Sequence, residues 1–115
     1  MDVRFLLNIR CDDYIDFGDY KEALFTSKHI MEVIPELFEN KIYILGGDVY
    51  KIVDGKITST SDGWYIDDAP QKKDVCYKKT VSFLKQYEKN NKGDFLFAMV
   101  LCDEDKNRVE INDIQ

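Results

Sequence analysis

A chain of 115 residues, 44% of them hydrophobic, has material for one compact domain with a single core, and not for two independently stable halves. Its 22 acidic side chains against 16 basic ones leave a formal charge of -6. That balance excludes a general binder of nucleic acid or of anionic membrane and suits a basic protein partner.

The opening MDVRFLLNIRCDDY carries one apolar patch, Phe5 to Leu7, before Asn8 and Arg10 interrupt it. The patch is too short for the core of a secretory signal, and no window approaches the ~18 unbroken apolar residues of a membrane span. The expectation is a soluble, cytoplasmic protein with no membrane partner. Cys11, Cys76 and Cys102 are odd in number and never form a C-x-x-C pair, which predicts reduced thiols rather than a disulfide framework or a zinc site.

From Ser27 to Asn40 the apolar residues Ile30, Val33, Ile34, Leu37 and Phe38 recur at helical spacing and make one stripe. Thr26 or Ser27 is suited to cap the start. Pro35 removes one backbone bond inside this segment, so a kink or break is expected there, with the end near Asn40.

Ile42 to Leu45 is a short apolar run, followed by Gly46-Gly47 and then by Asp48 to Val53, Asp54-Gly55 and Lys56 to Thr60. Asp-Gly favours the type I′ turn of a two-residue hairpin. The register then sets Val53 opposite Lys56, Ile52 opposite Ile57 and Tyr50 opposite Ser59, with Tyr50, Ile52 and Ile57 on one core face. A second Asp-Gly, Asp62-Gly63, predicts another turn into Trp64-Tyr65-Ile66 and hence a three-stranded meander. Paired glycines between strand-like runs permit a bulge and the close approach of another group. They are too few for a phosphate cradle, which also needs a helix to follow.

Beyond Asp67-Asp68-Ala69-Pro70, residues Lys73 to Lys92 read as a second helix, with Tyr77, Val81, Leu84 and Tyr87 or Glu88 on one side and Gly93 as the residue beyond its end. Phe95 to Leu101 is apolar almost throughout, the pattern of a strand buried on both faces. A weaker strand is expected at Val109 to Ile111. The whole predicts an α+β domain: a mostly antiparallel sheet of four or five strands, with two main helices packed on one face.

Catalytic chemistry finds little support. His29 is the only histidine and has no nucleophile motif attached. Cys76 and Cys102 fall in a helix and a buried strand, where thiols act as packing groups. Asp103, Asp105 and Asn107 imitate the start of a calcium loop, but Arg108 replaces its glycine and Ile114 its bidentate glutamate. The expectation is therefore no cofactor, no metal and no enzyme.

Charge is unevenly distributed. Residues 71–92 carry seven lysines against Asp74 and Glu88, a local balance of +5 that leaves -11 for the rest of the chain. The lysine-rich helix lacks the aromatic pattern of a nucleic-acid platform. Acidic clusters stand at Asp12, Asp13, Asp16 and Asp19, at Asp62, Asp67 and Asp68, and at Asp103, Glu104 and Asp105. Trp64 and Tyr65 lie inside the second cluster. Such rings need no explanation as core residues and are also the commonest binding anchors. Asp62, Trp64, Tyr65, Asp67 and Asp68 are accordingly the candidate partner-binding residues.

The string Gly46-Gly47-Asp48-Val49-Tyr50, followed by the Asp-Gly hairpin and by Gly63-Trp64-Tyr65, resembles the Immunity protein 40 family of bacterial polymorphic toxin systems. The similarity runs from Ala23-Leu24 to the last apolar strand, and Pro35 and the acidic tail depart from it. The resemblance implies a small cytoplasmic α+β protein that binds a cognate toxin and blocks it without doing chemistry. It supplies no residue-level interface. The alternative is a small ligand-binding or regulatory module that uses the Gly46-Gly47 turn as the floor of a pocket.

Overall fold

The computed structural model describes residues 5–67 and 74–112. The chain runs through β1 (Phe5–Asn8), β2 (Asp13–Asp16), β3 (Lys21–Leu24), α1 (Ser27–Glu39), β4 (Tyr43–Val53), β5 (Lys56–Tyr65), α2 (Val75–Asn90), β6 (Asp94–Cys102) and β7 (Arg108–Asn112). Five strands form one sheet in the order β1-β7-β6-β4-β5, and β2 with β3 forms a separate antiparallel pair. Within the large sheet only β1 against β7 is parallel.

The β4–β5 hairpin follows from its turn. Asp54 and Gly55 take φ of 50° and 77°, as a type I′ turn requires. Val53 then faces Lys56, Ile52 faces Ile57 and Tyr50 faces Ser59, the register expected from sequence. β6 lies between β4 and β7 and has Phe95 to Met99 buried without interruption, which explains its unbroken apolar run.

Period-two alternation divides the sheet into two covered faces. Val49, Phe95, Phe97, Met99 and Leu101 join Ile30, Val33 and Leu37 of α1 and Cys76, Tyr77 and Leu84 of α2 in the larger core. Both helices therefore pack on one face of the sheet. Tyr50, Leu96 and Ala98 point the other way and meet Leu24, with Ile15, Ile52 and Ile57 packed around them. The β2–β3 pair covers this second face, so Tyr50, Ile52 and Ile57 do share a core side, roofed by strands rather than by helix.

Helix α1 starts where Thr26 Oγ1 accepts the His29 backbone N–H at 3.1 Å. It ends in a Schellman arrangement: Lys41 holds φ at 57°, its N–H bonds to the Phe38 carbonyl, and Ile42 N–H reaches back to that of Leu37. The break expected at Pro35 is absent, and helix runs through it. Pro35 is exposed, so the backbone bond it removes is lost on the wet side, where the core contacts of Val33 and Leu37 are undisturbed.

Two further expectations need correction. Asp62-Gly63 does not turn the chain; β5 continues to Tyr65. Its extra length is taken up between the pairs Asp48–Gly63 and Tyr50–Ser59, where Thr60, Ser61 and Asp62 stand against Val49 alone and Ser61 adopts φ of 66°. This is a bulge, held by Thr60 Oγ1 donating to the Val49 carbonyl at 2.9 Å and accepting the Asp62 N–H at 3.1 Å. Gly93 likewise does not cap α2, which ends at Asn90 with Asn91 extended; its φ of 137° leads the chain into β6 beside the Lys51 side chain. Lys73, the expected start of that helix, lies outside the described residues.

Candidate interaction surface

The paired glycines locate the site. A Cβ on Gly46, whose φ is 152°, would overlap the Trp64 carbonyl, and one on Gly47 would overlap the Ala98 carbonyl and lie 2.7 Å from the Trp64 ring at Cζ3. A break in the β4–β6 register falls between Ile44 and Gly46, so the glycines serve both a bulge and a close approach. The volume a pocket floor would need is already filled by β5, β6 and the indole. The reading of Gly46-Gly47 as the base of a ligand pocket is thereby corrected: they are the seat of Trp64.

Trp64 and Tyr65 are neighbours on β5 and so point to opposite faces. Trp64 turns toward the helices. Its ring stacks on Phe83 of α2, with centroids 4.9 Å apart, and meets Phe97 edge-on at 6.4 Å. Its Nε1–H donates to Thr80 Oγ1 at 3.1 Å. Thr80 is wholly buried, so each partner satisfies the other's polar atom away from water. Phe83 stacks in turn on Tyr87, whose hydroxyl donates to Asp62 Oδ2 at 2.8 Å. Burial, assisted by that carboxylate, pushes the Tyr87 phenol up. An aromatic ladder thus braces the end of β5 against α2 and holds the bulge at Asp62.

Tyr65, opposite Gly46, is turned away from the helices and is 78% exposed, more than any other large hydrophobic side chain described. Asp48, opposite Gly63, is an exposed carboxylate on that face, and Asp67 follows two residues along the chain; Asp62, also exposed, turns its carboxylate to Tyr87 on the helix side. Asp68 lies outside the described residues. Asp48 belongs to no run of charge along the chain and is brought beside Gly63 only by strand pairing, which is why it is not among the residues expected from sequence. On the same face, burial and the nearby Asp48 carboxylate push Glu22 of β3 up, against the pull of Arg108. Like charges are therefore held close on the β2–β3 side of the sheet, where a cation would relieve them.

His29, the cysteines and the acidic turn after β6 have structural roles. His29 Nδ1 lies 2.9 Å from Asp12 Oδ2, which also accepts the Thr26 N–H at 2.8 Å, so the pair joins the segment before β2 to the start of α1. Burial raises the Cys76 thiol and, with Asp103 nearby, lifts that of Cys102 to about 11, far from a reactive thiolate at neutral pH. Asp103 Oδ1 accepts the N–H groups of Asp105 and Asn107 at 2.9 Å each, closing the β6–β7 turn. Arg108 begins β7, and Ile114 lies outside the described residues. No group of three or more His, Cys, Asp or Glu among the described residues is arranged to hold a metal ion, and no described helix is long and apolar enough to cross a membrane.

Comparison with curated proteins and with solved structures yields no match. A family model described as Immunity protein 40 matches residues 14–101, a span that begins in β2, contains both helices and the β4–β5 hairpin, and ends in β6. The glycine seat, the Trp64 brace and the exposed Tyr65 all fall inside it, and on a match covering most of its length the chain belongs to the Immunity protein 40 family.

Proposed function

We propose that this protein binds and neutralises a cognate bacterial toxin domain, in the cytoplasm and in stoichiometric amount, by covering its active cleft or substrate path. Family membership supports the immunity role. The observation that carries the choice of surface is Tyr65, 78% exposed on a strand that the Trp64–Phe83–Tyr87 ladder fixes from behind. A rigid, exposed aromatic side chain is the usual form of an interface anchor, because little entropy is lost when it is desolvated.

Tyr65 supplies the apolar contact, Trp64 holds the strand that presents it, and Asp62 and Asp67, continuing toward Asp68, attract a basic toxin surface. A nuclease with a positive groove has the matching charge. Neither cofactor nor turnover is required, and nucleic acid is not a partner in this scheme.

The test is co-expression with the toxin domain encoded next to this chain. Protection of the cells and a one-to-one complex on size-exclusion chromatography are expected. Tyr65→Ala should weaken that complex by about 2 kcal/mol or more, as truncation of a central anchor does, while leaving the melting temperature of the free protein nearly unchanged. Unprotected cells with no complex would exclude the immunity reading.

A further inference from the structure

β5 is an outer strand of the five-stranded sheet: β4 flanks it on one side, and among the described residues no strand flanks it on the other. In an antiparallel ladder alternate residues direct both backbone groups to the same neighbour. Ile66 N–H donates to the Leu45 carbonyl at 2.8 Å, so Ile66 and, two residues back, Trp64 face β4. Tyr65 and Gly63 therefore present their N–H and C=O groups to the open side. An uncovered row of this kind is a template for another strand.

The bulge limits where such a strand can sit. Ser61 N–H bonds to Ser59 Oγ at 3.2 Å and Asp62 N–H to Thr60 Oγ1 at 3.1 Å, so the donors at the bulge are occupied by the chain's own hydroxyls. It separates the stretch Lys56–Thr60, which starts with a lysine, from Asp62 to Asp67, which has two carboxylates and no cation. Asp48 adds a third carboxylate opposite Gly63. A second copy of this chain would bring its own Asp62 and Asp67 to the same short edge, and the bulge interrupts the long flat pairing that a symmetric dimer would use.

Resting on the immunity reading above, we infer that a short, extended, basic segment of the toxin domain adds to the sheet as a sixth strand, pairing with the backbone of Gly63 and Tyr65 beyond the Ser61 bulge. The backbone bonds set its position. Asp48, Asp62 and Asp67 select Lys or Arg in it, and the Tyr65 ring packs on its side chains.

Amide hydrogen exchange on this chain, alone and with the toxin domain from the adjacent gene carrying an inactivating substitution, tests the inference. The Gly63 and Tyr65 amides should exchange readily in the free protein and become protected in the complex. Tyr65→Pro, which deletes an outward N–H without touching a β4 bond, should weaken binding by on the order of tenfold beyond Tyr65→Ala. Melting of the free variant checks that it folds, and the exchange result on the unsubstituted protein stands whether or not it does. A complex that forms with Gly63 and Tyr65 still exchanging freely overturns this inference and leaves the immunity reading standing. Absence of any complex overturns both.

Discussion

At the scale of single residues, Gly47 shows how a position with no side chain decides where two large ones go. Its empty side is filled by the Ala98 carbonyl and the Trp64 ring, and that ring in turn occupies Thr80 and Phe83. Gly47→Ala must displace strand β6 or the indole, so it should cost about 3 kcal/mol or more in urea unfolding, in the range of severe overpacking. Gly55→Ala is the useful contrast: nothing lies within 4 Å of its added Cβ, and only its φ of 77° resists substitution, at about 1–2 kcal/mol. Equal losses would contradict the seating of Trp64. The sequence announced a close approach at Gly46-Gly47, because two glycines between strand-like runs have few other uses. What approaches was not legible, since strand pairing sets Trp64 beside Gly47 from 17 residues further along.

At the scale of elements, legibility tracked the strength of the local signal. The Asp54-Gly55 hairpin, the stripe of α1 and the buried run of β6 each follow from a turn residue or a period, and each has its expected place, except that Phe38 at the edge of the stripe is exposed. The β2–β3 pair gave no such signal: its strands are four residues long, half of their residues are exposed, and only Leu24 is wholly buried against the sheet. Asp62-Gly63 misled for the opposite reason, since its turn propensity is expressed as a bulge once Trp64 and Ile66 are fixed by packing. Propensity yields to tertiary contact wherever the contact is larger.

The joint between β2 and α1 has a pH dependence of definite sign. Burial pushes the Asp12 carboxyl up, but the Thr26 N–H and His29 together outweigh it and hold the group below its ordinary value. A carboxyl depressed in the folded state contributes stability above its unfolded pKa, and that contribution is lost as pH falls through the folded value. Denaturant midpoints of the wild type should therefore drop on acidification below about pH 4 more steeply than those of Asp12→Asn, with the two proteins converging in acid and the variant the weaker at neutral pH. Parallel curves would show that the Asp12–Thr26–His29 contact adds nothing net.

At the scale of the whole molecule, the arrangement of charge matters more than its total. Lys78, Lys85 and Lys89 are exposed on α2, in the helical layer, whereas Asp48 and the raised Glu22 belong to the opposite side of the sheet and Tyr65 turns the same way. A basic partner approaching the free edge of β5 from that side meets carboxylates first, with the lysines behind the sheet. Screening acts over about 10 Å at 0.1 M salt, less than the 23 Å of the shortest molecular dimension, so the near charges steer and the far ones contribute little. Association with the toxin domain should consequently slow by about tenfold between low and physiological salt, with dissociation much less affected. Asp48→Asn with Asp67→Asn should lower the association rate and flatten its salt dependence. Lys78→Gln with Lys85→Gln, a charge change of equal size and opposite sign, should leave the rate nearly as it was. Net charge alone would make the lysine variant associate markedly faster; that outcome, read by stopped-flow mixing at several salt concentrations, would remove the directional role assigned to the end of β5.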